Sequence, residues 1–517
     1  MVLIACLLLP WFEWKWQNKI RRWCAALLSQ VQHVLWGNAR PAETLAAEYC
    51  RSVQYRARRC AGTRYGGCAH RLEWRQLWCV FNWLVLLVAM YTPDDLVAVR
   101  GEVAHYGTIF GSMTDIALGS GTIGPMHLLT QRIDLDAIAA NTALVKKLIG
   151  DRKLMAVVKA DGYNHGAVVC AHVMAAHGAD QFGVATLKEA VTLRESGITK
   201  PILAWMWRPE QDIAAALQAG IDLAIISAAH AHAVVRAAKE TEITAQVTVK
   251  VETGMGRSGV CEADWPSVFR TLAEASRYVQ FTGIMSHLAL GDEEQNPYNN
   301  AQAATFRRAV AAARAAGLTP QMNHLANSPT TLARHDLGFD MVRPGIALYG
   351  VEPVAGEDHG LQPAMTLLAK VVVVKPIAQG QPVSYGGTWR APSDGFIATI
   401  PFGYADGCPR SWQNHLWVTI DGERYPQVGR VCMDQIIIFL GDNQHGVRGG
   451  DDALIFGPGT HQEMTAEELA LATDTIAYEI VCAPHGRIHR EYVSPSGKNL
   501  PAVLTRTAGA LTGTFPD

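Results

Sequence analysis

A lysine leaves the apolar, β-branched run Met155–Val158 and is followed by Ala-Asp-Gly-Tyr-Asn-His-Gly. An unpaired buried ammonium group is costly to desolvate. Lys159 therefore belongs at a strand end, where Gly162 and Gly166 mark a turn toward the apolar periodicity of Val168–Met174. A lone lysine there more often packs its stem and sends its head to water. Other chemistry-bearing residues shift that balance. Lys250 and Arg257 lie in "KVETGMGRSG", His287 follows an apolar run, Asn327 and Ser328 close "HLANS", and Arg343 leaves "MVRPGIALYG". No GxxxxGK[ST] makes Lys159 a nucleotide-loop lysine, and no HExxH or CxxC supplies metal ligands. Ser328 and Gly345-Ile346 offer phosphate donors. A lysine that condenses with an aldehyde is then the economical reading, with pyridoxal phosphate (PLP) as the usual such cofactor.

Elements must bring these residues together. Short apolar runs at Leu154–Val158, Phe182–Ala185, Ile202–Met206, Leu223–Ile226, Val247–Val251, Phe281–Ser286, Met322–Leu325 and Asp340–Val342 alternate with Ala-rich helical segments. "VVCAHVMAAHG", "ATLKEAVTLRESG" and "ATFRRAVAAARAAG" each close on a glycine, as helices commonly do. Eight strand–helix units predict a parallel (β/α)8, TIM-type barrel, whose C-terminal face would gather the polar strand ends into one site. A doubly wound sheet lacks its GxGxxG. Beyond Tyr349 the helices give way to β-rich runs with Gly and Asp turns, Asp421-Gly422 reading as a hairpin turn. A helix is expected at "TAEELALATD", with Thr465 as N-cap and Glu468 three residues on. We expect a barrel over 126–360 and a mainly β domain over 361–517.

"VVKADGYNHG", "KVETGMGRSG", "HLANS", "DMVRPGIALYG", "VSYGGTW", "IPFGYADG" and "VGRVCMDQ" occur in that order. Together they strongly resemble the alanine racemase family, over roughly 127–505. The resemblance implies PLP held by Lys159 as a Schiff base, alanine as substrate, and a homodimer whose active sites draw on both chains. Tyr163, Ser328, Gly345, Ile346 and Tyr478 would bind the phosphate, with His287 and Asn327 also at the cofactor. Arg343 would face the pyridine nitrogen. Lys159 would be one acid/base and Tyr385, from the partner, the opposing one. Arg257 would contact the cofactor and the substrate carboxylate, Met433 would offer its backbone N–H, and Tyr404 would lie at the substrate entrance. Lys250 matches the position that is often carbamylated, which would orient Arg257. Two departures stand out: Asn164, where the family usually has Gly, and "VCAPHGRIHREY" near the end. Asn is the next best residue for a left-handed conformation, so the turn is expected to survive.

The implied reaction explains these residue types. Racemisation removes an α-proton from one face and returns one to the other, so two bases must flank the carbon. Free lysine and tyrosine have pKa values near ~10, which the site must lower toward working pH. A protonated arginine cannot give its proton to the pyridine nitrogen, so the ring stays a weaker electron sink. That would limit side reactions such as transamination.

Bulk composition sets limits. The 517 residues carry a net charge of −2, which gives no electrostatic footprint for nucleic acid. Six of the 11 cysteines and eight of the 14 tryptophans fall within residues 1–125, so the rest reads as a reduced, cytoplasmic body. This N-terminal extension holds an apolar run of 15 residues at 77–91, shorter than the ~20 needed to span a bilayer. Its role stays open between a disordered segment, a membrane-associated one, and translation from an early start. Membrane contact is expected only through it. Three other functions stand as alternatives: a membrane-tethered serine/alanine racemase, a non-catalytic PLP-binding barrel protein, and a barrel decarboxylase.

Overall fold

The computed structural model describes residues 127–501 except 355 and 500. The expectations for 1–125, including the apolar run at 77–91, lie outside the described residues. Among the described residues, no helix is long and apolar enough to cross a membrane.

The described residues open with β1 (Leu129–Asp134) and the helix Leu135–Leu148, whose N-terminal N–H groups are capped by Asp134. Seven parallel strands follow: β2 (Lys153–Val157), β3 (Gln181–Val184), β4 (Ile202–Ala204), β5 (Asp222–Ile225), β6 (Ala245–Lys250), β7 (Val279–Met285) and β8 (Met341–Val342). Their order is β7-β6-β5-β4-β3-β2-β8. The interposed helices are set by local chemistry. Thr186 and Glu189 form a reciprocal capping box, and Gly178, Gly197 and Gly317, past the helix ends, take φ of +115°, +98° and +84°. Met155, Leu203, Ala224, Met285 and Met341 fill the barrel interior, thioethers adapting to its irregular space.

The expected strand Met322–Leu325 is not a regular strand. It still closes the barrel, because His324 donates its N–H to Ile284 (2.9 Å) and its neighbours bond across to β8 through Asp340 N–H→Asn323 O (3.0 Å). The Asn323 side chain interrupts the ladder by accepting from the Ile284 N–H (3.2 Å), while Asp340 Oδ2 takes the Asn323 N–H (2.9 Å). Side chains hold two groups that a continuous ladder would pair.

The second domain is built on a nine-stranded sheet. Its strands are β9 (Met365–Lys370), β10 (Val373–Ile377), β13 (Gly395–Ile400), β14 (Trp417–Ile420), β15 (Glu423–Val428), β16 (Ile436–Gly441), β17 (Asp452–Phe456) and β18 (His489–Val493), with β11 (Pro382–Val383) and β12 (Trp389–Arg390) as a separate ribbon. β1 belongs here too, pairing antiparallel with β9 and parallel with β18, although 126–360 was expected to be barrel throughout. Its alternating burial suits a sheet packed on one side. Asp421 and Gly422 both take positive φ between β14 and β15, as a type I′ hairpin turn requires. Thr465 caps the helix Ala466–Ala472. Glu468 does not reach back to the cap; it pairs with Arg424 at 2.5 Å. A second helix, Ala477–Cys482, was not foreseen.

Candidate active site

Lys159 sits where β2 ends, and the backbone after it is unusual. Ala160, Asp161, Gly162, Tyr163 and Asn164 have φ of 52°, 52°, 66°, 52° and 66°, one turn of left-handed helix. Each non-glycine residue there costs about 1–2 kcal/mol, so the surroundings must hold it. Glu189 accepts the Ala160 N–H (2.7 Å). The buried His165 donates from Nδ1 to the carbonyls of Tyr163 (2.8 Å) and Gly162 (3.1 Å), and burial drops its pKa to about 4, keeping it neutral. Arg490 of β18 reaches Asp161 (2.6 Å), Asn164 Oδ1 (2.9 Å) and Gln131 (2.9 Å). Asn164 keeps the left-handed cap, and its amide also donates to the carbonyls of Pro484 (2.7 Å) and Val481 (3.2 Å), beyond glycine's reach. The turn brings Lys159 and Tyr163 together, Nζ lying 5.7 Å from the ring centre.

One cavity is lined by Lys159, Tyr163, Lys250, Arg257, His287 and Arg343, together with Asn327, Ser328, Gly345 and Tyr478. Among the described residues, no carboxylate lines it. On one side, Ser328 Oγ accepts the Gly345 N–H (2.8 Å), and an added Cβ on Gly345 would meet the Tyr163 hydroxyl at 2.1 Å. Neither the Tyr163 nor the Tyr478 hydroxyl has a protein partner among the described residues, and burial pushes both phenols above their ordinary pKa. These neutral donors converge as a phosphate would require. Ile346 is fully buried next to Gly345 and is not itself a wall. Asn327 caps the helix Ser328–Ala333, accepting from the Thr330 N–H (3.3 Å) and Oγ1 (2.7 Å).

Arg343 stands at the end of β8. Its Nη1 donates to His324 O (2.6 Å) and Nδ1 (3.0 Å), and Nη2 to Ser286 O (2.5 Å) and Leu325 O (3.3 Å). No protein acceptor meets Nε among the described residues. Burial lowers this guanidinium to about 9, still protonated at neutral pH. It holds His287 and His324 neutral, since burial and then its charge push both pKa values well down.

The loop carrying Arg257 is shut by Glu252, which accepts the N–H groups of Gly254 (2.6 Å) and Met255 (2.7 Å). Lys250 ends β6, buried, and donates to Ser258 Oγ (2.6 Å). Burial first, then Arg257 and Arg343, pulls its amine down to about 8. Lys159 is lowered for the same two reasons, burial and Arg257. The cavity thus packs four basic side chains, the arginine charges adding to burial at the two lysines, and selects for anions.

Three expected residues are elsewhere. Tyr385, Met433 and Tyr404 lie on the second domain, 68 %, 52 % and 43 % exposed, and none lines this cavity. Met433 and Tyr404 are fastened together: Ala405 N–H donates to Met433 O (2.9 Å) and Tyr404 N–H to Cys432 O (3.0 Å). Arg487 pairs with buried Asp406 (2.8 Å) and with Asp434 (2.8 Å), fixing both loops. Sequence reading missed Trp205, which lines the cavity beyond β4, and His324, which orients Arg343. Trp205 carried a signal, an aromatic at a strand end; His324 lay within "HLANS" unremarked.

Comparison with known proteins agrees with this layout. Residues 133–353 match the alanine racemase N-terminal domain and 364–492 the alanine racemase C-terminal domain. The alanine racemase of Corynebacterium efficiens is 59% identical over 367 residues, 71% of this chain and 99% of that protein. The crystal structure of the Corynebacterium glutamicum alanine racemase superposes with a TM-score of 0.64 at 51% identity, covering 71% of this chain and all of that one. The Bartonella henselae alanine racemase, solved with covalently bound pyridoxal phosphate, gives 0.65 at 29% identity over 71% and 99% of the two chains. A PLP-binding barrel protein without catalysis would leave the second-domain match unexplained. The chain belongs to the alanine racemase family, and is an amino-acid racemase.

Proposed function

We propose that this protein interconverts L- and D-alanine with PLP bound to Lys159, by proton transfer between two bases on opposite faces of the α-carbon. The observation that carries the reading is the basic cavity, free of carboxylates among the described residues, in which the unpartnered Tyr163 and Tyr478 hydroxyls and Arg343 share the lining with a lysine at the start of a left-handed turn. These residues fit the cofactor. Tyr163, Tyr478, Ser328, Gly345 and the adjacent Ile346 would hold its phosphate, Arg343 its ring nitrogen, and Lys159 its aldehyde carbon. His287 and Asn327 would complete the cofactor wall. When bound, PLP supplies the electron sink that acidifies the α-proton.

The chain's own groups do the rest. Lys159, its pKa lowered by burial and Arg257, would hold or give the α-proton on one face. Tyr385 of the partner subunit would serve the other face, which accounts for its exposure here. Arg257 would pair with the substrate carboxylate, and the partner's Met433 would donate its backbone N–H to it, with the partner's Tyr404 at the entrance. Lys250, at about 8, has enough free amine to take up carbon dioxide. The resulting carbamate would turn a repulsion toward Arg257 into an attraction. The reading includes a homodimer, a cytoplasmic enzyme supplying D-alanine for peptidoglycan, a barrel over 126–360 with β1 excepted, and a second domain over 361–517.

The test is formation of D-alanine from L-alanine by purified protein, with L-serine and L-lysine as controls. Borohydride reduction should fix PLP on Lys159. Label on Lys153 or Lys250 instead would overturn the assignment.

A further inference from the structure

Ser384 directly precedes Tyr385 and has φ 62° and ψ −174°. Glycine adopts this region freely, and other residues almost never do, because Cβ crowds the backbone. Such a conformation persists only where its surroundings over-determine it. Here the Ser384 hydroxyl donates to the Arg430 carbonyl (2.7 Å) and lies 3.3 Å from Cys432 Sγ, which can share it as donor. The approach is close: a Cβ added to Gly429 would meet Ser384 Cβ at 2.9 Å. The β11–β12 ribbon brackets the turn, and Gly387 N–H closes it on Ser384 O (3.2 Å).

Two elements are joined by this latch. On one side is Tyr385, exposed and with no side-chain hydrogen bond among the described residues, so its place is set by its backbone. On the other is the 430–433 segment, which carries Met433 and holds Tyr404. We infer that Ser384 is a positioning residue: its hydroxyl, anchored on Arg430 and Cys432, holds a glycine-like backbone and so fixes the Tyr385 phenol relative to the Met433 N–H. The inference rests on reading Tyr385 as the second base. Without the hydroxyl, the backbone before Tyr385 is free to relax toward extended geometry and carry the phenol away.

The test compares Ser384→Ala, Ser384→Gly and Tyr385→Phe in the PLP-loaded enzyme. Readouts are borohydride labelling at Lys159, melting temperature, kcat, KM, and exchange of the α-proton in D₂O from each enantiomer. Ser384→Ala should keep the Lys159 label and a parent-like melting temperature, yet lose kcat about ten- to a hundredfold. The loss should be face-selective: exchange without inversion should persist from the enantiomer served by Lys159. Ser384→Gly, free of the steric penalty, should be less impaired than Ser384→Ala. Equal slowing of both faces, a parent-like Ser384→Ala, or Gly worse than Ala would overturn the Ser384 inference while Tyr385→Phe remains face-selective. A Tyr385→Phe enzyme with no face selectivity would overturn the second-base reading and this inference with it.

Discussion

The side-chain amide of Asn164 donates to the Pro484 carbonyl at 2.7 Å, tying the left-handed turn after Lys159 to the segment that follows the Tyr478 helix. Glycine, usual here in the family that the sequence resembles, would leave that carbonyl and Val481's without this partner. Asn164→Gly should therefore keep the turn, since φ of 66° suits glycine, but loosen Tyr478. Net hydrogen-bond contributions near ~1 kcal/mol predict PLP retention weakened about fivefold. Dialysis against a PLP-free buffer measures it; unchanged retention would mean that Tyr478 is held by other contacts.

Arg343→Glu should let the pyridine nitrogen gain a proton, because a carboxylate there favours the charged ring. The expected signs are a new long-wavelength absorbance band with alanine, absent in the parent, and slower turnover. If spectrum and rate both stay as they were, Arg343 does not address the ring.

Lys250 gives a pH-dependent stability. Its folded-state pKa of about 8 lies below lysine's ordinary value of 10.5, so between those values the unfolded chain binds more protons. Stability then rises with pH across that window, as the cost of a buried charge is relieved, by about 3 kcal/mol in all. In CO₂-free buffer, denaturation midpoints should climb between pH 8 and 10.5 for the parent and less steeply for Lys250→Met. Equal slopes would mean that the ammonium is not desolvated.

A chain beginning at Met126 should fold, bind PLP and racemise alanine. Its first element, β1, is complete, and it pairs with β9 and β18, both retained. Racemase assays on the shortened chain test this. A truncate that cannot fold would place part of 1–125 within the core.

Much of the architecture was legible because strands and helices advertise themselves by periodicity and glycine stops. The site residues on the barrel were legible for a related reason: a lysine, an arginine or a histidine after an apolar run marks where a strand ends and a polar cavity begins. What was hidden depends on long-range partners. Nothing in "LTQRID" says that β1 joins the second domain, and Asn323 breaks a ladder only because Asp340 lies beside it. Gly162, Asn164 and Gly166 hinted at the turn, but Ala160, Asp161 and Tyr163 adopt left-handed φ because their neighbours compel it. Tyr385, Met433 and Tyr404 have no local signature of catalysis and were named by resemblance alone.

The central claim is that one site needs Lys159 of one subunit and Tyr385 of its partner. Mixing inactive Lys159→Ala protein with Tyr385→Phe protein tests it, since a mixed dimer would contain one intact pair. Loss of a single general base costs about 10²–10⁴-fold, so recovered turnover would stand well above either parent. We expect racemisation to return as subunits exchange, approaching half the intact rate per mixed dimer. No recovery, despite exchange shown by a tagged subunit, would mean that each chain builds its own site and would contradict the account.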